Sequence, residues 1–547
     1  MSPHQTYEEI NSYVVFWGLF FSVLFALAVG YLCLKIGQTV DAFAPVSVLA
    51  MGMAVLFHRR NAFPETVHIQ AIASAGTNII GGAMFILPAL YILNIEDVSF
   101  LEMAIPIVLG GVLGVFLATV FRRYFCEEMD GVYPFPSGSA AAEVLESDEG
   151  SKAHIMLVSG AVALVYDFVL NSIGWWQELL TTTTFHWGQV LADKYKLVFS
   201  LDNDAALLGI GMLAMSGIIG LLSMSGVVVR VVKRAVADLF SKGASSSGML
   251  LRTQQDLPMT QIVFVSLLMT ILFAVFFHVM CAESLTQTVI AFVLVMLFAL
   301  MLSVVGISSI AFTGNEPVSG MTIFMIIVSA VVMGGAGMAG KTGIIAILMM
   351  AAFLCATLAV SSNFMSELKV AYITGATPKK MQQWQLVFIV LAGVVSVGVV
   401  FLMHHAYGFT GEGALAAPQA NAMAAIVKPM MDGGDAPWPL YMAGAFFAVL
   451  LWMMKIPPLA FALGSYLPMG INTPVLVGGL ISYFVSHSSD DAKVNAKRLS
   501  EGNTVASGFV AGGAIGSLIS AVLHIAGIVA YFVLCIFLYA MAKRAVK

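Results

Sequence analysis

The chain has 547 residues, of which 60% are hydrophobic and only 10% are charged. Soluble domains carry about 25% charged residues, so a soluble core could not bury this much apolar surface, and the solvent must be a lipid bilayer. The formal net charge of -5 argues against a nucleic-acid partner. The five cysteines contain no CxxC pair, which argues against disulfides, zinc and iron–sulfur clusters.

Long apolar runs predict the membrane spans, because a spanning helix needs about 20 apolar residues. Runs of this length begin near Ser12, Val67, Leu101, Ala153, Gln261, Thr286, Val318, Lys341, Gln385, Gly502 and His524. Runs that are short or broken by Gly and Pro lie at 43–57, 137–145, 205–231, 415–427, 439–454 and 459–485. The prediction is an all-α polytopic membrane protein with about 16 membrane segments, including short and broken helices.

The distribution of basic residues predicts the orientation in the membrane. Basic loops contain Arg59–Arg60, Arg122–Arg123, several residues between Arg230 and Arg252, Lys379–Lys380, Lys493–Arg498 and the C-terminal tail. The positive-inside rule places these loops in the cytoplasm. No basic region precedes the first apolar run, so that run is predicted to be a retained span. We therefore predict a multi-pass protein of the cell (inner) membrane with both termini in the cytoplasm.

Three pairs of similar segments suggest an internal repeat. The segment at Ala44 resembles that at Glu316, the segment at Asp130 resembles that at Glu367, and the segment at Gly211 resembles that at Gly464. The pairs occur in the same order along the chain, which predicts two homologous halves, 1–250 and 251–547. Transporters are commonly built from such repeats, with the substrate site near the membrane midplane between them.

Six motifs carry a resemblance to a known family. They are QAIASAGTNIIGGAMFILPAL, YPFPSGSAAAEVL, GNEPVSGM, ELKVAYITGATPKKMQ, APQANAMAAIVK and KIPPLAFALGSYLP. From about Lys35 to Ser520 the chain resembles the oligopeptide transporter family, a superfamily that includes the yellow-stripe metal-chelate transporters, and it looks closest to the compact prokaryotic branch. The eukaryotic peptide branch typically reads KIPPR, whereas this chain has Leu459 at that point. The resemblance implies proton-driven secondary uptake of short peptides or of metal–chelator complexes.

The first candidate site is the stretch DGVYPFPSGSAAAEVLE, which begins at Asp130. Its two prolines stop any helix that enters from upstream, Gly138 permits an irregular turn, and Ser137 or Ser139 can cap a new helix. The N-terminus of that helix favours an anion such as a peptide carboxylate. Glu143 follows about one turn later. The alternative is an ordinary surface loop in which Glu143 is solvated.

The repeat places the stretch from Glu367 to Gln382 opposite the first one. Thr377 is a suitable N-cap and Pro378 suits the first helical position, so we expect a second half-helix facing the first. The same pairing sets Glu143 against Lys380. Lys380 could equally be an ordinary cytoplasmic basic residue.

Ionisable groups at membrane depth are functional candidates, because they cost several kcal/mol (about 2.5 or more for a carboxylate) unless paired or hydrated. The proton-coupling candidates are Glu143, Glu316 and Glu367, and Lys369 either pairs with Glu367 or lines the same cavity. The further substrate-binding candidates are Asn78, Asn315, Ser362, Asn363, Tyr372, Gln419, Asn421 and Lys455. The alternative roles are helix packing for the small polar residues and snorkelling to the interface for Lys455.

The function predicted from these features is proton-coupled import of short oligopeptides by alternating access, with uptake of siderophore-like metal chelates as the alternative. Peptides are preferred because no His or Cys cluster marks a metal-linked ligand. An intramembrane enzyme is disfavoured, since the sequence contains no HExxH motif and no GxSxG motif. No cofactor and no bound metal are expected. The expected partners are substrate, protons and lipid, and a homo-oligomer remains open.

Overall fold

The computed structural model describes residues 7–37, 39, 43–59, 62–130, 133, 135–146, 251–313, 316, 318–411, 414–432, 438–454 and 469–491, with short pieces between 158 and 202 and between 494 and 509. The predicted site residues Asn315 and Lys455 lie outside the described residues, and so does the side chain of Glu143. Most of the predicted segments at 205–231 and after Gly502 and His524 also lie outside them.

Helices dominate the first half of the described chain. They are α1 (Ser12–Ile36), α2 (Phe43–Leu56), α3 (Ala62–Asn78), α4 (Ile80–Met84), α5 (Pro88–Ile92), α6 (Phe100–Arg122), a π-helical turn (Arg123–Glu128), α7 (Pro136–Glu146) and α8 (His186–Tyr195). Two three-residue strands, β1 (Leu179–Thr181) and β2 (Ser200–Asp202), form an antiparallel ribbon.

The second half is helical as well. It contains α9 (Met259–Met280), α10 (Leu285–Thr313), α11 (Val318–Gly335), α12 (Gly340–Thr374), α13 (Pro378–Tyr407), α14 (Pro418–Met431), α15 (Trp438–Met453) and α16 (Met469–Ser486). The predicted all-α membrane class is therefore confirmed.

Seven helical segments of the described chain are long and apolar enough to cross a membrane. They start at Ser12, Ala62, Phe100, Arg252, Leu285, Gly340 and Pro378. Seven of the predicted spans thus lie on helices of this length, and the run that begins at Val318 lies on the shorter helix α11, while the total of about 16 segments stays a prediction. The predicted short segments at 43–57, 137–145 and 415–427 are confirmed as α2, α7 and α14.

Local sequence signals explain where several helices begin and end. Asn11 caps α1 by accepting a hydrogen bond from the Val14 amide at 3.1 Å, and Gly37 ends that helix with a φ of 71°. Ser99 and Glu102 form a capping box at the start of α6. The span that begins at Ala62 is different, because it is interrupted between α3 and α4 and again before Pro88. The sequence had predicted one uninterrupted helix there.

Two compact units are present. One comprises Met1–Ala153 and Ala214–Leu467, and the other comprises His154–Leu213 and Pro468–Lys547. In the second unit, α16 contacts β2. These units describe compactness and not sequence similarity, so the division into halves at 1–250 and 251–547 stays a prediction.

Helix α12 forms the centre of the first unit, and nearly all its residues from Ile344 onward are buried. It packs against α6 and α10, and on another side against α3 and α4. Gly110 and Gly114 of α6 allow the close approach, since a Cβ on Gly110 would lie 2.2 Å from the carbonyl oxygen of Phe353. The Thr357 hydroxyl donates to the Gly110 carbonyl at 3.0 Å. Small residues four apart are the usual means of bringing membrane helices together.

Gly110→Ala is expected to destabilise the protein by about 1–3 kcal/mol, because the backbones of α6 and α12 must move apart to admit the methyl group. Gly398→Ala on α13 is the matched control, since nothing lies within 4 Å of a Cβ at that position. The measurement is the thermal unfolding midpoint of both variants in detergent. Equal midpoints for the two variants would show that the α6–α12 contact is not tight.

Candidate functional site

A buried acid, Glu367, lies at the centre of a polar cluster between α3 and α12. Its Oε1 accepts hydrogen bonds from the Ser74 hydroxyl at 2.5 Å and from the Asn78 amide at 2.6 Å. Glu367 and Ser74 are fully buried, and Asn78 is 1% exposed. Ser74 and Asn78 are four residues apart and therefore share one face of α3. The group that both side chains contact is the carboxylate of Glu367, and substrate binding by Asn78 stays a prediction.

The interruption after Asn78 places this cluster next to a break in the membrane span. Gly82 follows the break, and a Cβ there would lie 2.6 Å from the Cα of Ala356 on α12. Only glycine permits so close an approach of the two backbones. The break brings the polar end of α3 and the glycines of α4 against α12. The irregularity is local, because Ile79 between the two helices keeps right-handed helical dihedral angles (φ −93°, ψ −14°) and both helices belong to one apolar segment, Ala62–Ile92.

A second acid, Glu316, approaches the same part of α12. Glu316 lies between α10 and α11, and its Oε2 accepts a hydrogen bond from the Asn363 amide at 2.8 Å. Asn363 precedes Glu367 by four residues, so both side chains leave α12 on the same side. Glu316 Oε1 lies 3.6 Å from the position that a Cβ on Gly81 would take. One stretch of α12 thus brings together polar side chains from three separate parts of the chain. They are Asn78, Glu316 and the α12 residues Asn363 and Glu367.

Lys369 lies on another face of α12, which corrects the expectation that it pairs with Glu367 or lines the same cavity. Two residues along a helix turn the side chain by about 200°, so Lys369 points away from α3. Its Nζ lies 2.5 Å from Asp130 Oδ1 and 3.3 Å from the carbonyl oxygen of Cys126. The hydroxyl of Tyr372 is 3.4 Å from Asp130 Oδ2.

Described residues between Asp130 and Gly138 contact α10 and α12. Phe135 has a φ of 42°, its amide donates to the Ala311 carbonyl of α10 at 2.8 Å, and its carbonyl accepts from the Ser139 amide at 2.7 Å. A Cβ on Gly138 would lie 2.9 Å from the carbonyl oxygen of Ser366. Positive φ in a bulky residue is strained and is concentrated at functional sites. The predicted break before α7 is confirmed, with Ser137 and Ser139 partly exposed in its first turn.

The expected second half-helix is wrong. The stretch that begins at Glu367 is the end of the continuous helix α12, and Pro378 begins α13, which has 30 residues. The predicted pairing with Glu143, whose side chain lies outside the described residues, stays a prediction for Lys380. Its Nζ is 3.8 Å from the buried carboxylate of Glu9, near the N-terminus.

Three other predicted site residues serve the packing of the helices. Ser362 donates to the Leu358 carbonyl at 2.8 Å and packs against Gly306 of α10. Gln419 donates to the Gly37 carbonyl at 3.1 Å and so caps the end of α1, and Asn421 donates to the Ala416 carbonyl at 2.8 Å. These bonds supply no contact to the Glu367 cluster. The short helix predicted around Gln419 is nevertheless present as α14.

Basic residues from the predicted cytoplasmic loops collect at one end of the first unit. The Arg252 guanidinium is 2.6 Å from Glu9 Oε1, and Arg122 binds Asp256 through two nitrogens at 2.6 Å each. Arg59 lies 2.5 Å from Glu65, and this hydrogen bond raises the pKa of the arginine. Arg59 is therefore charged at any physiological pH.

In the described part of the chain, the opposite end of these helices carries few basic residues. Lys341 and Asp97 form an exposed ion pair there. Cys281 is buried between α9 and α10, and burial, together with nearby Glu102, raises the pKa of its thiol to about 12. No group of three His, Cys, Asp or Glu residues in the described part of the chain could hold a metal ion.

Comparison with known proteins agrees with this architecture. A family model described as "OPT oligopeptide transporter protein" matches residues 9–232 and 200–524. The chain belongs to the oligopeptide transporter family. The chain is also similar to a Haemophilus influenzae protein named "Putative oligopeptide transporter", with 22% identity over 589 aligned positions that cover 90% of this chain and 92% of that protein. This family member is therefore a multi-pass membrane transporter of small molecules and not an enzyme.

Signals for two site residues were present in the sequence but were not used. Asp130 and Lys369 both lie in the paired motifs, yet the repeat alignment set Asp130 opposite Glu367. The spacing of Lys369 and Tyr372, three residues apart on one helix, already indicates a common face.

Proposed function

We propose that this protein imports short peptides together with protons, by alternating access. The observation that carries the proposal is the fully buried carboxylate of Glu367, which accepts hydrogen bonds from two side chains of α3. A charged carboxylate at such a position costs free energy that hydrogen-bond donors offset. Proton binding removes the charge and weakens those bonds.

The location of the donors gives a route from proton binding to conformational change. Ser74 and Asn78 belong to α3, which ends at the break, whereas Glu367 belongs to α12. The strength of the α3–α12 contact therefore depends on whether Glu367 carries a proton. A two-state contact biased by one proton is the element that a proton-coupled transporter requires.

Glu316 and Asn363 extend this polar surface along α12 and are proposed to contact the substrate, together with Asn78. Glu143 remains a third candidate for proton coupling because of its place on α7. The collection of Arg59, Arg122, Arg252 and Lys380 at one end supports a cytoplasmic N-terminus by the positive-inside rule.

Uptake into proteoliposomes tests the proposal. With an acidic exterior, radiolabelled di- to tetrapeptides are expected to accumulate inside, and a protonophore should abolish the accumulation. Ferric and nickel chelates serve as competitors. Accumulation of the chelates without peptide uptake would identify a metal-chelate symporter instead, and peptide uptake that ignores the pH gradient would remove the proton from the mechanism.

A further inference from the structure

The Lys369–Asp130 pair lies apart from the Glu367 cluster, on another face of α12. Lys369 is the inner member of the pair, since its side chain is 4% exposed, whereas that of Asp130 is 51% exposed. Besides Asp130, the ammonium group contacts the Cys126 carbonyl oxygen and the faces of two aromatic rings, Tyr372 at 4.7 Å and Phe135 at 5.9 Å from the ring centroids.

The unequal burial of the two charges has an energetic consequence. A lysine ammonium that is almost fully buried needs an anion beside it, because burying an isolated charge is costly. Because half of the Asp130 side chain faces solvent, water can solvate its carboxylate when another carboxylate takes its place beside Lys369. Lys369 thus requires a carboxylate, but not that of Asp130 in particular.

We propose that Lys369 binds the C-terminal carboxylate of the transported peptide, which displaces Asp130 from the pair. This assignment rests on the peptide transport proposed above. The exchange replaces one carboxylate by another, so the charge around Lys369 is unchanged and no buried charge is left alone. Tyr372, which contacts the pair, is 37% exposed, so solvent reaches this place. Its hydroxyl can donate a hydrogen bond to the incoming carboxylate as it does to Asp130.

The surrounding chain favours such an exchange. Asp130 lies two residues after the π-helical turn Arg123–Glu128, and the strained Phe135 follows Asp130 by five residues. π-Helical turns and strained residues are concentrated at functional sites. The ring of Phe135 is anchored by its backbone bond to α10, so a wall beside the ammonium stays in place when Asp130 moves.

Equilibrium binding of trialanine and trialanine amide to the purified protein tests the proposal. The wild type is expected to bind the free acid at least about tenfold more tightly than the amide, as a charge-assisted contact of about 1.5–3 kcal/mol requires. Lys369→Met should remove this preference. Asp130→Asn should strengthen binding of the free acid, because the carboxylate that competes for Lys369 is gone.

The Asp130→Asn variant separates a binding role from a structural one. A purely structural ion pair predicts that Asp130→Asn and Lys369→Met weaken the binding of both peptides alike, and that result would overturn the proposal. Lys341→Met, on the same helix but in an exposed pair, is the matched control and should bind like the wild type. Wild-type binding without preference for the free acid overturns the carboxylate site alone, whereas no binding of either peptide overturns the peptide assignment as well.

Discussion

Glu367→Gln is expected to lose proton-driven uptake while the variant still exchanges peptide across the membrane. Glutamine keeps the size and the acceptor oxygen of the side chain, so the hydrogen bonds from Ser74 and Asn78 can persist. It cannot bind or release the coupling proton. We expect uptake under an inward proton gradient to fall by at least about tenfold, equivalent to about 1.4 kcal/mol.

Two measurements on one proteoliposome preparation make this result specific. Net uptake with an acidic exterior reports the proton step, and counterflow of labelled against unlabelled peptide at equal pH reports substrate binding and the conformational change. Glu283→Gln is the control, since Glu283 is exposed in the loop between α9 and α10. Glu316→Gln and Glu143→Gln are to be compared in the same assay. If Glu367→Gln retains the pH-gradient dependence and one of the other two loses it, the coupling residue is that other acid.

Asp256→Ala is expected to cause the largest loss of stability. The Arg122 guanidinium, 1% exposed, binds Asp256 through two hydrogen bonds of 2.6 Å each. Removal of one member of a buried pair costs about 3–5 kcal/mol, because the other charge is left uncompensated. The expected loss is at the lower end of that range, since Asp256 is itself 27% exposed and Glu127 remains 2.8 Å from Arg122.

The thermal unfolding midpoint in detergent, followed by size-exclusion chromatography after heating, measures this effect. Asp97→Ala is the matched control, because it breaks an ion pair whose two members are both exposed, and exposed pairs contribute less than about 1 kcal/mol. Asp256 also accepts a hydrogen bond from Gln382 of α13 at 2.7 Å. If the two variants unfold at the same temperature, the Arg122 cluster does not hold α6, α13 and the segment before α9 together.

The membrane spans could be predicted because the bilayer imposes a length and a composition on each helix. Long apolar runs became helices such as α1, α6 and α12, and the prolines and glycines at 134–138 marked a break that the structure confirms before α7. The acid Glu316 stands out in the sequence for the same reason, since charged residues are rare between apolar runs. The motifs that resemble the oligopeptide transporter family could also be recognised, because each is a short continuous stretch of sequence.

The second half-helix was predicted wrongly for a physical reason. Thr377 and Pro378 are good signals for the start of a helix, and α13 does start there, but a start signal carries no information on helix length. The 30 residues of α13 follow from the apolar run beyond Gln385. In the opposite sense, the break between α3 and α4 was not predicted, because apolar composition continues across it.

By itself, the sequence determined the class, seven of the long spans, the break before α7 and the family of this protein, since all of these depend on residues close together in the chain. Only the tertiary structure decided which polar groups meet. Asn78 and Glu367 are 289 residues apart, and Lys369 and Asp130 are 239 apart. Helical periodicity tells on which face of α12 each side chain lies, but the helix that covers that face depends on how all the helices pack. That packing separates Glu367 from Lys369, two positions apart in sequence, into two different charged sites.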